Sequence, residues 1–112
     1  MKQKGDNLGE FEELVLLSAA TLNDQAYGVS VMQYIIAETG RVVNISAVHE
    51  VLKRLERKGY LRSKMGGATQ ERGGRRKRYF SLTASGKRTL EEAMRTKIQL
   101  YQRVPNFSIK GL

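Results

Sequence analysis

At Gly59 the hydrophobic period of the chain changes, and this change constrains the fold more than any other feature. Before it, Val48, Val51, Leu52 and Leu55 recur at three- and four-residue intervals, the apolar face of a helix. After it, Tyr60-Leu61-Arg62-Ser63-Lys64-Met65 alternates as a half-buried strand does. A glycine-containing stretch from Gly66-Gly67 to Gly73-Gly74 follows. Then Arg75–Leu82 alternates again, with Phe80 and Leu82 on one face. Two strands around a glycine-rich tip predict a hairpin with a long loop. The expected class is mainly α with a small β-hairpin.

The flanking segments read as helices. Asn7-Leu8-Gly9-Glu10 offers a capping asparagine with glutamate three residues later, a helix-start signature. Phe11, Leu14, Val15, Leu17, Ala19 and Leu22 then cover more than one narrow stripe, so this helix is expected to bury two sides, one against its own core. Asn23-Asp24-Gln25 reads as a turn. Gly28, Val31, Met32 and Ile35 mark a second helix that Gly40 ends. Arg41-Val42-Val43 is a short link, and Asn44 caps the third helix, which Gly59 terminates. Thr83 caps a last helix, in which Leu90, Met94, Ile98 and Tyr101 recur at spacings of four, four and three. At about 20 residues it would span roughly 30 Å, long for so small a domain. Its seam follows a core already complete in sequence and is expected to meet a second chain. Pro105 ends it. The order is helix, helix, helix, hairpin, long helix. One compact domain is expected, with residues 1–83 as the main unit, 84–104 as the last helix and 105–112 as a tail.

Charge narrows the function. The 112 residues carry a net +9, unevenly spread. Residues 1–40 hold two basic and six acidic residues, whereas residues 41–80 hold twelve basic and three acidic. A concentrated positive surface suits a polyanion, either nucleic acid or an acidic membrane. No apolar run is long enough to span a bilayer, so no membrane partner is expected. Acids at positions 6, 10, 12 and 13 stand where a signal peptide needs apolar residues, and the expected location is cytoplasmic. The chain has no cysteine and one histidine, which excludes disulfides and thiolate metal sites. No cofactor is expected. No catalytic constellation surrounds His49, and the glycines at 66, 67, 73 and 74 fit no phosphate-binding fingerprint. An enzyme is not expected.

DNA binding does fit these residues. The third helix follows another helix after a short link, which is helix-turn-helix order, and a short helix of this kind enters the major groove. Its outward positions Ser46, Ala47, His49 and Glu50 are candidates to read bases. Lys53 and Arg54 are candidates for phosphate, as are Asn44 and Tyr27 at helix starts. The hairpin adds Lys64, Arg72, Arg75, Arg76, Lys77 and Arg78, which bind phosphates or enter the minor groove. On a strand the last four cannot all point one way, so about two of them are expected to touch DNA. The rivals are an RNA-binding or ribosome-associated protein, and a protein-interaction module with an acidic partner.

The segments GEFEELVLL, AYG, ISAVHEVLKRLERKGYL and GRRKRYFSLTASG, in this order and spacing, resemble the PadR-type transcriptional regulators across residues 8 to about 100. The resemblance implies a winged helix-turn-helix with a C-terminal dimerisation helix, in a homodimeric repressor on an inverted-repeat operator. Residues 45–58 would be the recognition helix and Tyr60–Leu82 the wing. The last helix would pair with its counterpart and with the partner's first helix, making Phe11, Leu14, Val15, Leu90, Met94, Ile98 and Tyr101 candidate interface residues. Many members answer to small molecules, so an effector of unknown identity is a possible partner. The family's usual tyrosine is His49 here. The chain lacks tryptophan, so the tryptophan-based drug pocket of some short members is not carried over.

Overall fold

The computed structural model describes residues 8–66 and 76–105. Helix α1 spans Glu10–Leu22, and a 3-10 turn over Asn23–Gln25 leads to α2 at Gly28–Thr39. Helix α3 spans Ile45–Arg57, strands β1 and β2 span Leu61–Met65 and Arg78–Leu82, and α4 spans Ala84–Gln102. The expected order of elements is the observed one.

Local chemistry sets the boundaries. The Asn44 carboxamide oxygen accepts the Ala47 N–H at 2.8 Å and starts α3. The Thr83 hydroxyl accepts the Gly86 N–H at 3.0 Å and donates to the Gly59 carbonyl at 2.6 Å, so one side chain caps α4 and ties it to the end of α3. Gly40 and Gly59 have φ of 71° and 85°, a left-handed backbone that glycine adopts without a Cβ penalty. The start of α1 departs from expectation. Its cap is Gly9, whose N–H donates to the Glu12 carboxylate at 2.7 Å. Asn7 lies outside the described residues.

The core forms where α1, α2 and α3 meet the hairpin. Val15, Leu16, Val31, Val48, Leu52 and Leu55 are completely buried, with Ile35, Leu61 and Phe80 beside them. Burial of each such side chain contributes about 1.5–3 kcal/mol. The Phe80 N–H donates to the Ala26 carbonyl at 2.8 Å, fastening the segment before α2 to β2. A Cβ on Gly86 would lie 2.1 Å from the Tyr60 carbonyl oxygen, so the first turn of α4 presses directly on the backbone before β1.

Two of the residues expected at a partner-facing seam lie deep in the single chain. Val15 is 0% exposed and Leu90 is 8% exposed within the single chain. Both pack into this chain's own core. The stripe that looked two-sided in the sequence owes Val15 to the inner side.

The hairpin is antiparallel, with Leu61 opposite Leu82, Ser63 opposite Phe80 and Met65 opposite Arg78. The second strand starts three residues later than its alternation predicts. Arg76 and Lys77 form a neck instead: the Gly66 N–H donates to the Lys77 carbonyl at 2.6 Å, and Arg76 Nε donates to the Gly66 carbonyl at 2.8 Å. Helices α2 and α3 with their short link form a helix-turn-helix. The hairpin beside them is a wing.

Candidate nucleic-acid interface

A groove runs between the first turn of α2, the outer face of α3 and the base of the wing. Tyr27, Gly28, His49, Lys53, Glu56, Arg76, Lys77 and Arg78 line it, so three separate segments bring five of the expected DNA-contacting cationic or imidazole side chains together with Tyr27. Glu56 is the one carboxylate among its lining residues.

Each side chain has a local reason for its place. Gly28 is buried, and a Cβ there would lie 2.4 Å from the His49 Cε1. The missing side chain lets the imidazole settle on the start of α2 while the residue stays exposed. Tyr27 stands at the cap of α2, edge-on to Tyr79 with ring centroids 5.6 Å apart. The Lys77 ammonium sits 4.3 Å from the centre of the Tyr27 ring, a cation–π contact. Tyr27 therefore serves as a seat for a wing cation.

Lys53 and Arg54, neighbours in sequence, separate in space. Lys53 is exposed in the groove. Arg54 lies 3.8 Å from Glu12 and 3.6 Å from Glu50, between two carboxylates. Glu50 is held by that pairing one helical turn away. Ser46 is exposed and Ala47 half-buried on the first turn of α3, and neither lines the groove. Asn44 is committed to its cap through its carboxamide oxygen. Lys64 lies outside the groove as well. It pairs across the hairpin with Tyr79, on the wing face it shares with Arg62 and Ser81. Arg72 and Arg75 lie outside the described residues.

Three further residues shape the site. Glu12 reads as a helix-start acid, yet it is buried and accepts Lys58 Nζ at 2.9 and 3.0 Å. Burial alone would raise its pKa. The Gly9 N–H, the Lys58 ammonium and the Arg54 guanidinium outweigh that and hold it below the ordinary carboxylate value of 4.5. Glu56 and Ser63 are the other two. The Ser63 hydroxyl donates to Glu56 Oε2 at 2.7 Å and accepts from Arg78 Nη1 at 3.0 Å. A signal existed for Ser63: it is a polar residue at the inward phase of Leu61-Ser63-Met65.

Among the described residues no helix is long and apolar enough to cross a membrane, and no cluster of three metal-ligating side chains occurs.

Known proteins agree with this architecture. A PadR-like structure from Bacteroides fragilis superposes with a TM-score of 0.69 at 23% identity, over 82% of this chain and 84% of that one. A PadR family regulator from Clostridium difficile gives 0.66 at 24%, over 82% and 92%. At such identities these two speak for the fold. The protein smu.1704 of Streptococcus mutans is 31% identical over 81% of this chain and 77% of its own, with a TM-score of 0.61. No curated protein matches the sequence. The family model for PadR-like transcriptional regulators matches residues 16–92, which take in α1 from its second turn, the helix-turn-helix, the wing and the start of α4. The chain therefore belongs to the PadR-like family of transcriptional regulators, which are not enzymes.

Proposed function

We propose that this regulator is a repressor that binds an inverted-repeat operator as a homodimer. Helix α3 enters the major groove, and the wing lies on the flanking backbone or in the minor groove. One observation carries the reading: Lys53 and His49 of α3 and Arg76, Lys77 and Arg78 of the wing converge on a single groove. The repressor role rests on resemblance to the family.

Ser46, Ala47 and Glu50 are the further candidates for base contact at the outer side of α3. Arg72 and Arg75, which stand between the two strands in sequence, are further candidates for DNA contact. Dimerisation draws support from α4. Phe11, Leu14, Met94 and Ile98 are half-buried, and Leu17, Leu100, Tyr101 and Val104 remain exposed. A second chain would cover such apolar surface. Two recognition helices related by a two-fold axis would meet successive major grooves about 34 Å apart.

Selection of bound sequences from a random duplex library tests the proposal. Recovery of an inverted repeat is the expected result. Enrichment of a single half-site would remove the dimer. Absence of enrichment, with tighter binding to structured RNA, would replace the operator reading with the RNA one. With about 6–10 phosphates neutralised, log affinity falls against log salt at a slope near −5 to −9.

A further inference from the structure

Glu56, the one carboxylate lining the groove among the described residues, would repel phosphate. Glu56 Oε2 accepts the Ser63 hydroxyl at 2.7 Å, and the same oxygen of Ser63 accepts Arg78 Nη1 at 3.0 Å. The three residues come from α3, β1 and β2. Ser63 and Arg78 are diagonal neighbours on one face of the hairpin, since Ser63 pairs with Phe80 and Arg78 with Met65. The hydroxyl therefore stands between the two charges.

We propose that Ser63 and Glu56 are positioning residues that aim the Arg78 guanidinium at DNA. This rests on the reading of the groove as the DNA-contacting surface. A guanidinium offers five N–H donors in a planar fork. If it met Glu56 directly, it would give up two of them to a bidentate pair. Through Ser63 it gives up one. The remaining edge stays available to a phosphate or a base, and the rotamer is fixed before DNA arrives, which lowers the ordering cost of binding. The hydroxyl has a required polarity here. It donates to the carboxylate, so its lone pair is the acceptor for arginine. Glu56 thereby orders Ser63, and Ser63 orders Arg78. The relay also joins the recognition helix to the wing, so the two reading elements keep a fixed relative position.

The experiment is a double-mutant cycle with the full chain. The probe is a labelled mixed-sequence duplex of about 30 base pairs, long enough for two half-sites one turn apart. Chemical denaturation of each variant is measured alongside. Arg78→Ala is expected to weaken binding about tenfold, and Ser63→Ala about threefold. In the Arg78→Ala background, Ser63→Ala is expected to add nothing, because its only effect passes through the arginine. Ser63→Thr, which keeps the hydroxyl, is expected to restore parental binding. All four variants should unfold at parental denaturant concentrations. Ser63→Ala and Arg78→Ala effects that simply add would overturn the relay, as would parental binding by Ser63→Ala beside a weakened Arg78→Ala. Parental binding by Arg78→Ala is a different failure: it would remove this side of the groove from the DNA interface altogether.

Discussion

The two flanks of α3 carry the same kind of side chain and put it to different uses. On the flank facing α1, Arg54 and Lys58 meet the buried Glu12, and the three charges form a joint between the first helix and the third. On the flank facing the wing, Lys53 has no ion partner among the described residues, and the carboxylate nearby is engaged by Ser63. Both flanks read as one basic helix in the sequence. What separates them is where the chain places its acids. The N-terminal part of the molecule is acidic, and α1 directs Glu12 to the end of α3 and Glu13 to Lys97 of α4. Cations near α1 are thereby turned into structural groups. On the wing side, Lys53 faces the groove instead.

The largest effect should come from breaking the structural flank. Glu12→Ala leaves Lys58 and Arg54 without their buried counter-charge. It should cost about 2 kcal/mol, less than a fully buried pair because Lys58 is partly exposed. A lower midpoint in urea denaturation checks this, and an unchanged midpoint would make the joint ornamental. Next comes the functional flank. Lys53→Ala should leave the midpoint in place and weaken duplex binding about tenfold, because one fewer phosphate is neutralised by each protomer. Loss of stability without loss of binding would reverse the roles of the two flanks.

Smaller effects sharpen the contrast. Gly28→Ala introduces a Cβ where the His49 ring sits, so the imidazole must move out of its seat. Binding should weaken about threefold, with the expected loss of sequence preference at one position. If binding proceeds unchanged, His49 is not held by that seat for any purpose of recognition. Acid provides the mildest perturbation. Glu12 has its folded pKa below the ordinary 4.5. A depressed carboxylate contributes stability that is fully present above the unfolded value and is lost as pH falls through the folded one. Unfolding midpoints measured downward from about pH 5 should therefore drop, and Glu12→Gln should flatten part of that drop.

Much of the fold could be read from local pattern because local chemistry decides it. The caps made by Asn44 and Thr83 and the left-handed turns at Gly40 and Gly59 act within a few residues of their own positions, and each is what its residue type implies; the second bond of Thr83, to the Gly59 carbonyl, reaches further. The switch from helical to alternating period at Gly59 marks the border between α3 and the wing for the same reason. The parts that could not be read depend on distant partners. Glu12 meets Lys58 across 46 positions, and nothing at the start of α1 announces a buried acid. An apolar stripe does not say which of its residues the chain itself covers, and the burial of Val15 and Leu90 depends on neighbours distant in sequence. Arg54 and Lys53 differ by about 100° around a helix, enough to place one beside α1 and the other in the groove. Ser63 was the nearest to being found, as an inward-phase polar residue in a strand. Its partners, however, lie on two other elements.

The most direct test of the division between the flanks is the salt dependence of duplex binding for the parent, Lys53→Ala and Arg54→Ala. Each neutralised phosphate contributes about 0.9 to the log–log slope, so a dimer giving up one per protomer changes by about 1.8. That change is expected for Lys53→Ala, with a parental slope for Arg54→Ala. A shallower slope for Arg54→Ala, with a parental slope for Lys53→Ala, would contradict the division.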